Sequence, residues 1–90
     1  MKLIVINTND RNALDQALNV EAEVLLIQDA VLSLNKGRED APSFKGKKVY
    51  ALGIDVEKRG LSERLIEGVE LVDYNNMVDL MFSSDSVVNL

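Results

Sequence analysis

Ninety residues, 47% of them apolar and 28% charged, suit one domain with a real core, although a chain this short hides only roughly 60 to 65% of the surface it exposes when unfolded. The absence of cysteine excludes a disulfide framework, a thiolate nucleophile, a persulfide held on this chain and a cysteine-ligated metal, and the absence of histidine removes the usual neutral-pH base and the commonest transition-metal ligand. A net charge of −5 repels a phosphate backbone unless the cations gather on one face, so direct nucleic-acid binding is not expected, and any proton transfer falls to carboxylates, lysines or tyrosines.

Residues 3–6 form a continuous apolar run of the kind that suits a central strand covered on both faces, as in parallel sheets flanked by helices. Asn7, Thr8, Asn9 and Asp10 supply oxygens that can cap a following helix, in which Ala13, Leu14, Ala17 and Leu18 recur at helical spacing. After a return loop at 20–23, residues 24–27 are a second apolar run. This one passes without spacer residues through Gln28 and Asp29 into a third, residues 30–34, where Ser33 is the only polar position. The pattern is a buried strand feeding directly into a helix. A helix apolar all round is either enclosed by its own fold or covered by another chain. Gln28 closes an apolar strand, so it is expected to hydrogen-bond to a neighbouring turn or to a bound chain.

Residues 35–48 change character, with five of the ten basic residues (Lys36, Arg38, Lys45, Lys47, Lys48), two glycines and the only proline, which is the composition of a mobile surface loop. A third strand is expected over 47–52. Residues 55–60 begin with an acid and end with cations and a glycine, which predicts a helical turn or two stopped at Gly60. A further turn over 62–67, ended by Gly68, leads to a fourth strand at 69–72, whose Glu70 implies an edge position. Asp73 can cap a last helix, in which Tyr74, Met77, Val78 and Met81, with Leu80 beside them, predict a core-facing stripe. Residues 83–86 break that helix, and 87–90 are apolar enough to add an edge strand or to dock against a neighbour. From Glu67 onward there is no basic residue. The apolar start is too short for a signal peptide, and no run approaches the roughly 18 residues of a membrane span, so a soluble, cytoplasmic protein is expected. With no internal repeat and no boundary, residues 1–90 read as one α/β domain: a three-layer α/β/α sandwich on a mainly parallel sheet of four to five strands.

Little in this frame carries chemistry. Asp29, Asp55 and Asp73 each follow a strand, so in a parallel sheet they would meet at the edge where open α/β folds bind ligands. Three convergent carboxylates would suit a divalent ion or a phosphate compound, and hence a small binding protein or hydrolase. The competing reading is that each caps the helix it precedes, worth about 1 kcal/mol apiece. The five glycines are isolated, so no phosphate loop exists. The basic cluster has Phe44 as its only aromatic, which favours a solvated loop over an RNA site. Met77 and Met81 belong to a core rather than a cofactor box.

Three segments, LLIQDAV at 25–31, KVYALGIDVEKRGL at 48–61 and VELVDYNNMVDL at 69–80, resemble the DsrH/TusB family, small members of the DsrE/F/H group of sulfur-relay subunits. The resemblance covers about two thirds of the chain, and the motifs are structural rather than catalytic. It implies a DsrEFH-like α/β/α domain in a heteromeric assembly with DsrE/TusD-like and DsrF/TusC-like subunits, in which sulfur moves as a persulfide. The assembly would serve 2-thiolation of the tRNA wobble uridine or sulfur oxidation. Some DsrH-type members carry a cysteine in the loop after the first strand. Here that loop reads Asn7-Thr8-Asn9-Asp10, which is similar to the TusB type and implies a structural, non-catalytic subunit without cofactor or metal. On this reading Gln28, Asp29, Val31, Leu32 and Leu34 form the shared surface, with Asp55 and Arg59 near the same edge. A free-standing homo-oligomer of the same fold is the remaining alternative.

Overall fold

The computed structural model describes residues 1–37, 44 and 46–90. The apolar runs become five strands, β1 (Lys2–Ile6), β2 (Glu23–Leu26), β3 (Val49–Leu52), β4 (Val69–Val72) and β5 (Ser86–Asn89), in the spatial order β4-β3-β2-β1-β5. Every neighbouring pair is parallel, so the mainly parallel sheet expected from the sequence is what forms. β2 holds the middle place, while β1 lies inside the sheet between β2 and β5 rather than at its centre. Glu70 lies on an edge strand, as its charge implied, and the C-terminal residues supply the other edge.

The connections follow from the handedness of parallel crossovers. The chain steps in one direction from β1 to β4, through α1 (Arg11–Leu18), a 3-10 helix (Gln28–Leu34) and α2 (Gly53–Lys58). Right-handed crossovers that advance in one direction place their connections on one face of the sheet. From β4 the chain returns to the far edge through α3 (Tyr74–Ser83), and the reversed step puts that helix on the opposite face. Two cores result. The larger joins Ile4, Ile6, Val24, Leu26, Val49 and Ala51 of the sheet to Leu14 and Ala17 of α1, Ala30, Val31 and Leu34 of the 3-10 helix, and Val56 of α2. The smaller joins Leu3, Val5, Leu25 and Val72, with Met77, Leu80 and Met81 of α3 partly buried upon them.

Local signals behave as their chemistry requires. Asp10 caps α1, accepting the Asn12 backbone N–H at 3.3 Å, and Asp73 caps α3, accepting that of Asn76 at 2.7 Å. Gly60 takes a left-handed φ of 68° just beyond α2, the conformation that stops a helix at least cost in glycine.

Two expectations change. The 30–34 segment is a 3-10 helix with Ala30, Val31, Ser33 and Leu34 at 0% exposure, so Val31 and Leu34 are core residues and not part of a shared surface. The reason is position. The segment leaves β2 directly and lies over the larger core, so its own sheet and Val56 cover it. In α3, Tyr74 and Val78 point outward, at 55% and 44% exposure, and no residue is fully buried. The helix is rotated so that Met77, Leu80 and Met81 meet the sheet instead. Of the basic loop expected over 35–48, residues 38–43 and 45, with Arg38 and Lys45 among them, lie outside the described residues. Among the described residues no helix is long and apolar enough to cross a membrane.

Candidate functional site

β2 and β3 are hydrogen-bonded neighbours, so the turns that leave their C-terminal ends come together. Ile27 continues the extended backbone, its N–H donating to the Ile6 carbonyl at 2.9 Å, and Gln28 then swings to a φ of 51°. Gln28 is the one non-glycine residue in the left-handed region among those described, a conformation that costs an L-residue roughly 1–2 kcal/mol because its Cβ crowds the following carbonyl. This bend lets a strand pass into a 3-10 helix with no spacer. The Gln28 backbone N–H donates to Asp55 Oδ2 at 2.7 Å, across to the turn that begins α2. The expected bond from Gln28 to a neighbouring turn therefore exists, but through its backbone, while its side chain lies exposed.

Asp55 is the only buried charged residue among those described, at 7% exposure. A carboxylate taken out of water needs hydrogen bonds and an opposite charge, and it has both. Arg59, one turn along α2, sets Nη1 3.6 Å from Asp55 Oδ1 and donates from the same nitrogen to the Asp55 carbonyl at 3.2 Å. The other side of the guanidinium donates to Asp29 Oδ1, from Nε at 3.2 Å and from Nη2 at 3.0 Å. Arg59 therefore ties the start of the 3-10 helix to α2. The Asp29 arm is 68% exposed and, as a surface pair, contributes little to stability by itself.

Four predicted residues, Gln28, Asp29, Asp55 and Arg59, thus form one cluster at the C-terminal edge of the sheet, with Leu32 half-buried beside the larger core. Val31 and Leu34 lie beneath them in that core. Of the three strand-end aspartates, Asp73 alone caps the helix it precedes. Asp55 instead serves the neighbouring turn and Asp29 serves Arg59, which corrects the capping reading for both. The guanidinium between Asp29 and Asp55 is shared by both and offsets one of their two negative charges. Among the described residues no three His, Cys, Asp or Glu side chains group as a metal site.

Two features escaped the linear sequence. On the α3 face, the Tyr50 hydroxyl donates to Glu23 Oε1 at 2.8 Å, and Lys48 pairs with Glu70 at 2.9 Å while standing 5.2 Å from the Tyr50 ring centre. Burial, then the hydrogen bond to Glu23 and the negative charge of Glu23 and Glu70, push the Tyr50 phenol up to about 12. It stays protonated at neutral pH, which makes it a structural donor and not a base. Finding this cluster needs the register that pairs Tyr50 with Glu70, which no single strand encodes. The second feature is an apolar crevice of about 460 Å³ between the ends of β3 and β4, where Ile54, Leu71 and Tyr74 are 40%, 48% and 55% exposed. It lies where one connection, α2, turns to one face of the sheet and the next, α3, turns to the other, which is the place where open α/β sheets form clefts.

The family model described as DsrH like protein matches residues 6–87. Protein TusB of Photorhabdus laumondii subsp. laumondii is 34% identical over 73 residues, covering 79% of this chain and 77% of its own length. Protein TusB of Escherichia coli K12 is 36% identical over 73 residues, with the same shares of 79% and 77%. The crystal structure of the ychN protein from E. coli shares the fold with a TM-score of 0.79 over 99% of this chain and 97% of that one, at 21% identity.

Proposed function

The chain belongs to the DsrH family, and from that premise we propose that it is a non-catalytic structural subunit of a sulfur-relay complex. Its partners are DsrE/TusD-like and DsrF/TusC-like proteins of the cytoplasm. In that assembly sulfur passes as a persulfide between cysteines of the other subunits, toward 2-thiolation of the tRNA wobble uridine or toward sulfur oxidation. The observation that carries the reading is the combination of family membership with a sequence holding neither cysteine nor histidine, since a persulfide needs a sulfur atom to rest on. The role left for this chain is to complete and shape the complex. Its candidate contact edge is the rigid cluster of Gln28, Asp29 and Arg59, held from below by Asp55 and flanked by Leu32.

The test is reconstitution. The chain is co-expressed with the DsrE-like and DsrF-like proteins of the same genome, and the mixture is resolved by size-exclusion chromatography with light scattering. One heteromeric species is expected, with Arg59→Glu weakening it. Supplying labelled cysteine through a cysteine desulfurase should place reducible label on a partner and none on this chain. Three independently eluting proteins, or substrate turnover by this chain alone, would overturn the reading.

A further inference from the structure

Five carboxylates and no lysine or arginine lie between Glu67 and Leu90, and this stretch also carries most of the large apolar side chains left in solvent. Along α3, Tyr74, Val78 and Phe82 are 55%, 44% and 85% exposed. Their spacing of four residues makes them one outward ridge of the kind that packs into a groove on another element. The ridge runs into the crevice between β3 and β4, because Tyr74 belongs to both and Ile54, Leu71 and Val72 complete the apolar lining. Asp73 is the only charged residue of that lining, and the exposed Asp79 flanks the ridge, one residue on from Val78 and three before Phe82. The nearby cations are already placed elsewhere: Lys48 pairs with Glu70, and Lys58 closes α2 a full turn beyond Ile54. A continuous apolar surface of this kind on so small a domain marks an interaction site.

From this juxtaposition we infer that α3 and the β3–β4 crevice form a docking surface for a protein segment that presents apolar side chains flanked by lysine or arginine. One large apolar side chain enters the crevice as the anchor, the remainder lie along Tyr74, Val78 and Phe82, and the flanking cations meet Asp73 and Asp79. Charge decides the occupant. Pairing two copies along this ridge would bring their Asp79 carboxylates, one residue from its midpoint, together with no basic residue from either stretch to separate them. An anionic membrane is repelled for the same reason. The surface is distinct from the Gln28–Arg59 edge. The inference rests on the sulfur-relay reading in taking the relay partners as the source of that segment.

The test measures assembly of the full chain with the purified DsrE-like and DsrF-like subunits by calorimetry, at low and high salt, for the native chain, Phe82→Asp and Asp79→Lys. Phe82 is exposed, so the variant should fold, and an unchanged circular dichroism melt verifies this. Phe82→Asp should weaken assembly at least about tenfold at both salt levels, as loss of an aromatic anchor does. Asp79→Lys should weaken it about threefold or more at low salt, with the effect shrinking as salt rises. If the native chain does not assemble with these subunits, the functional reading fails and this inference falls with it. If it assembles and both variants match it, the inference alone is overturned. Self-association of the isolated chain that Phe82→Asp abolishes, or binding to phosphatidylglycerol vesicles that it abolishes, would equally overturn the choice of occupant.

Discussion

Replacing Asp55 by alanine tests whether one buried carboxylate holds the 3-10 helix to α2. Asp55 is 7% exposed and accepts the Gln28 N–H at 2.7 Å. A hydrogen bond with one charged partner contributes about 1.5–3 kcal/mol, and stranding the partly buried donor adds about 1 kcal/mol. Arg59 would lose its 3.6 Å contact with the Asp55 side chain but keep Asp29 and the residue-55 carbonyl, so its share is small. Relaxation of the strained Gln28 backbone returns up to about 1 kcal/mol, which leaves a net loss of about 3 kcal/mol for Asp55→Ala. Asp55→Asn keeps the shape and one acceptor oxygen, so about 1 kcal/mol is expected there. Urea unfolding followed by far-ultraviolet circular dichroism measures both, with the exposed Asp79→Ala as a control expected within about 0.5 kcal/mol of the native chain. If Asp55→Ala falls within that same margin, the carboxylate does not organise the edge and the reasoning is wrong.

At Gln28 the usual ranking of side chains should invert: because φ is 51°, Gln28→Gly should be more stable than Gln28→Ala by about 1 kcal/mol, and an alanine advantage in urea unfolding would contradict the left-handed turn. Leu34→Ala should cost about 3 kcal/mol, the cost of a cavity in a core site at 0% exposure; a loss below about 1 kcal/mol would return this residue to the surface. Tyr50 supplies a prediction in pH. Its phenol is raised from 10.0 to about 12 in the fold, so the folded state holds the proton more tightly than the unfolded chain. Its contribution is complete below pH 10.0 and is lost as pH rises through about 12. Phenolate absorbance should therefore show one of the two tyrosines titrating near 12, and Tyr50→Phe should flatten the alkaline loss of stability.

What could be read from the linear chain is what depends on neighbours in sequence. Unbroken apolar runs at 3–6 and 24–27 signal strands covered on both faces whatever packs on them. Asp10 and Asp73 find their helix amides within three residues, and Gly60 stops α2 through its own backbone freedom. The family segments and the missing cysteine and histidine are likewise properties of the string. Orientation is not. In α3 the rows Tyr74-Met77-Val78-Met81 and Met77-Leu80-Met81 overlap, and either could face a sheet; the return of the chain across the opposite face selects the second and leaves Tyr74 and Val78 in solvent. Residues 30–34 are equally apolar whether sealed or shared, and the position of β2 above the larger core seals Val31 and Leu34. Asp55 carries the signature of a cap, yet its partner is 27 residues away in the next turn, because adjacent parallel strands release their turns side by side. Local propensity and composition act over one or two helical turns, whereas the face a side chain presents and the donor a buried carboxylate meets are settled by strand order and crossover direction, which arise only when distant segments pack.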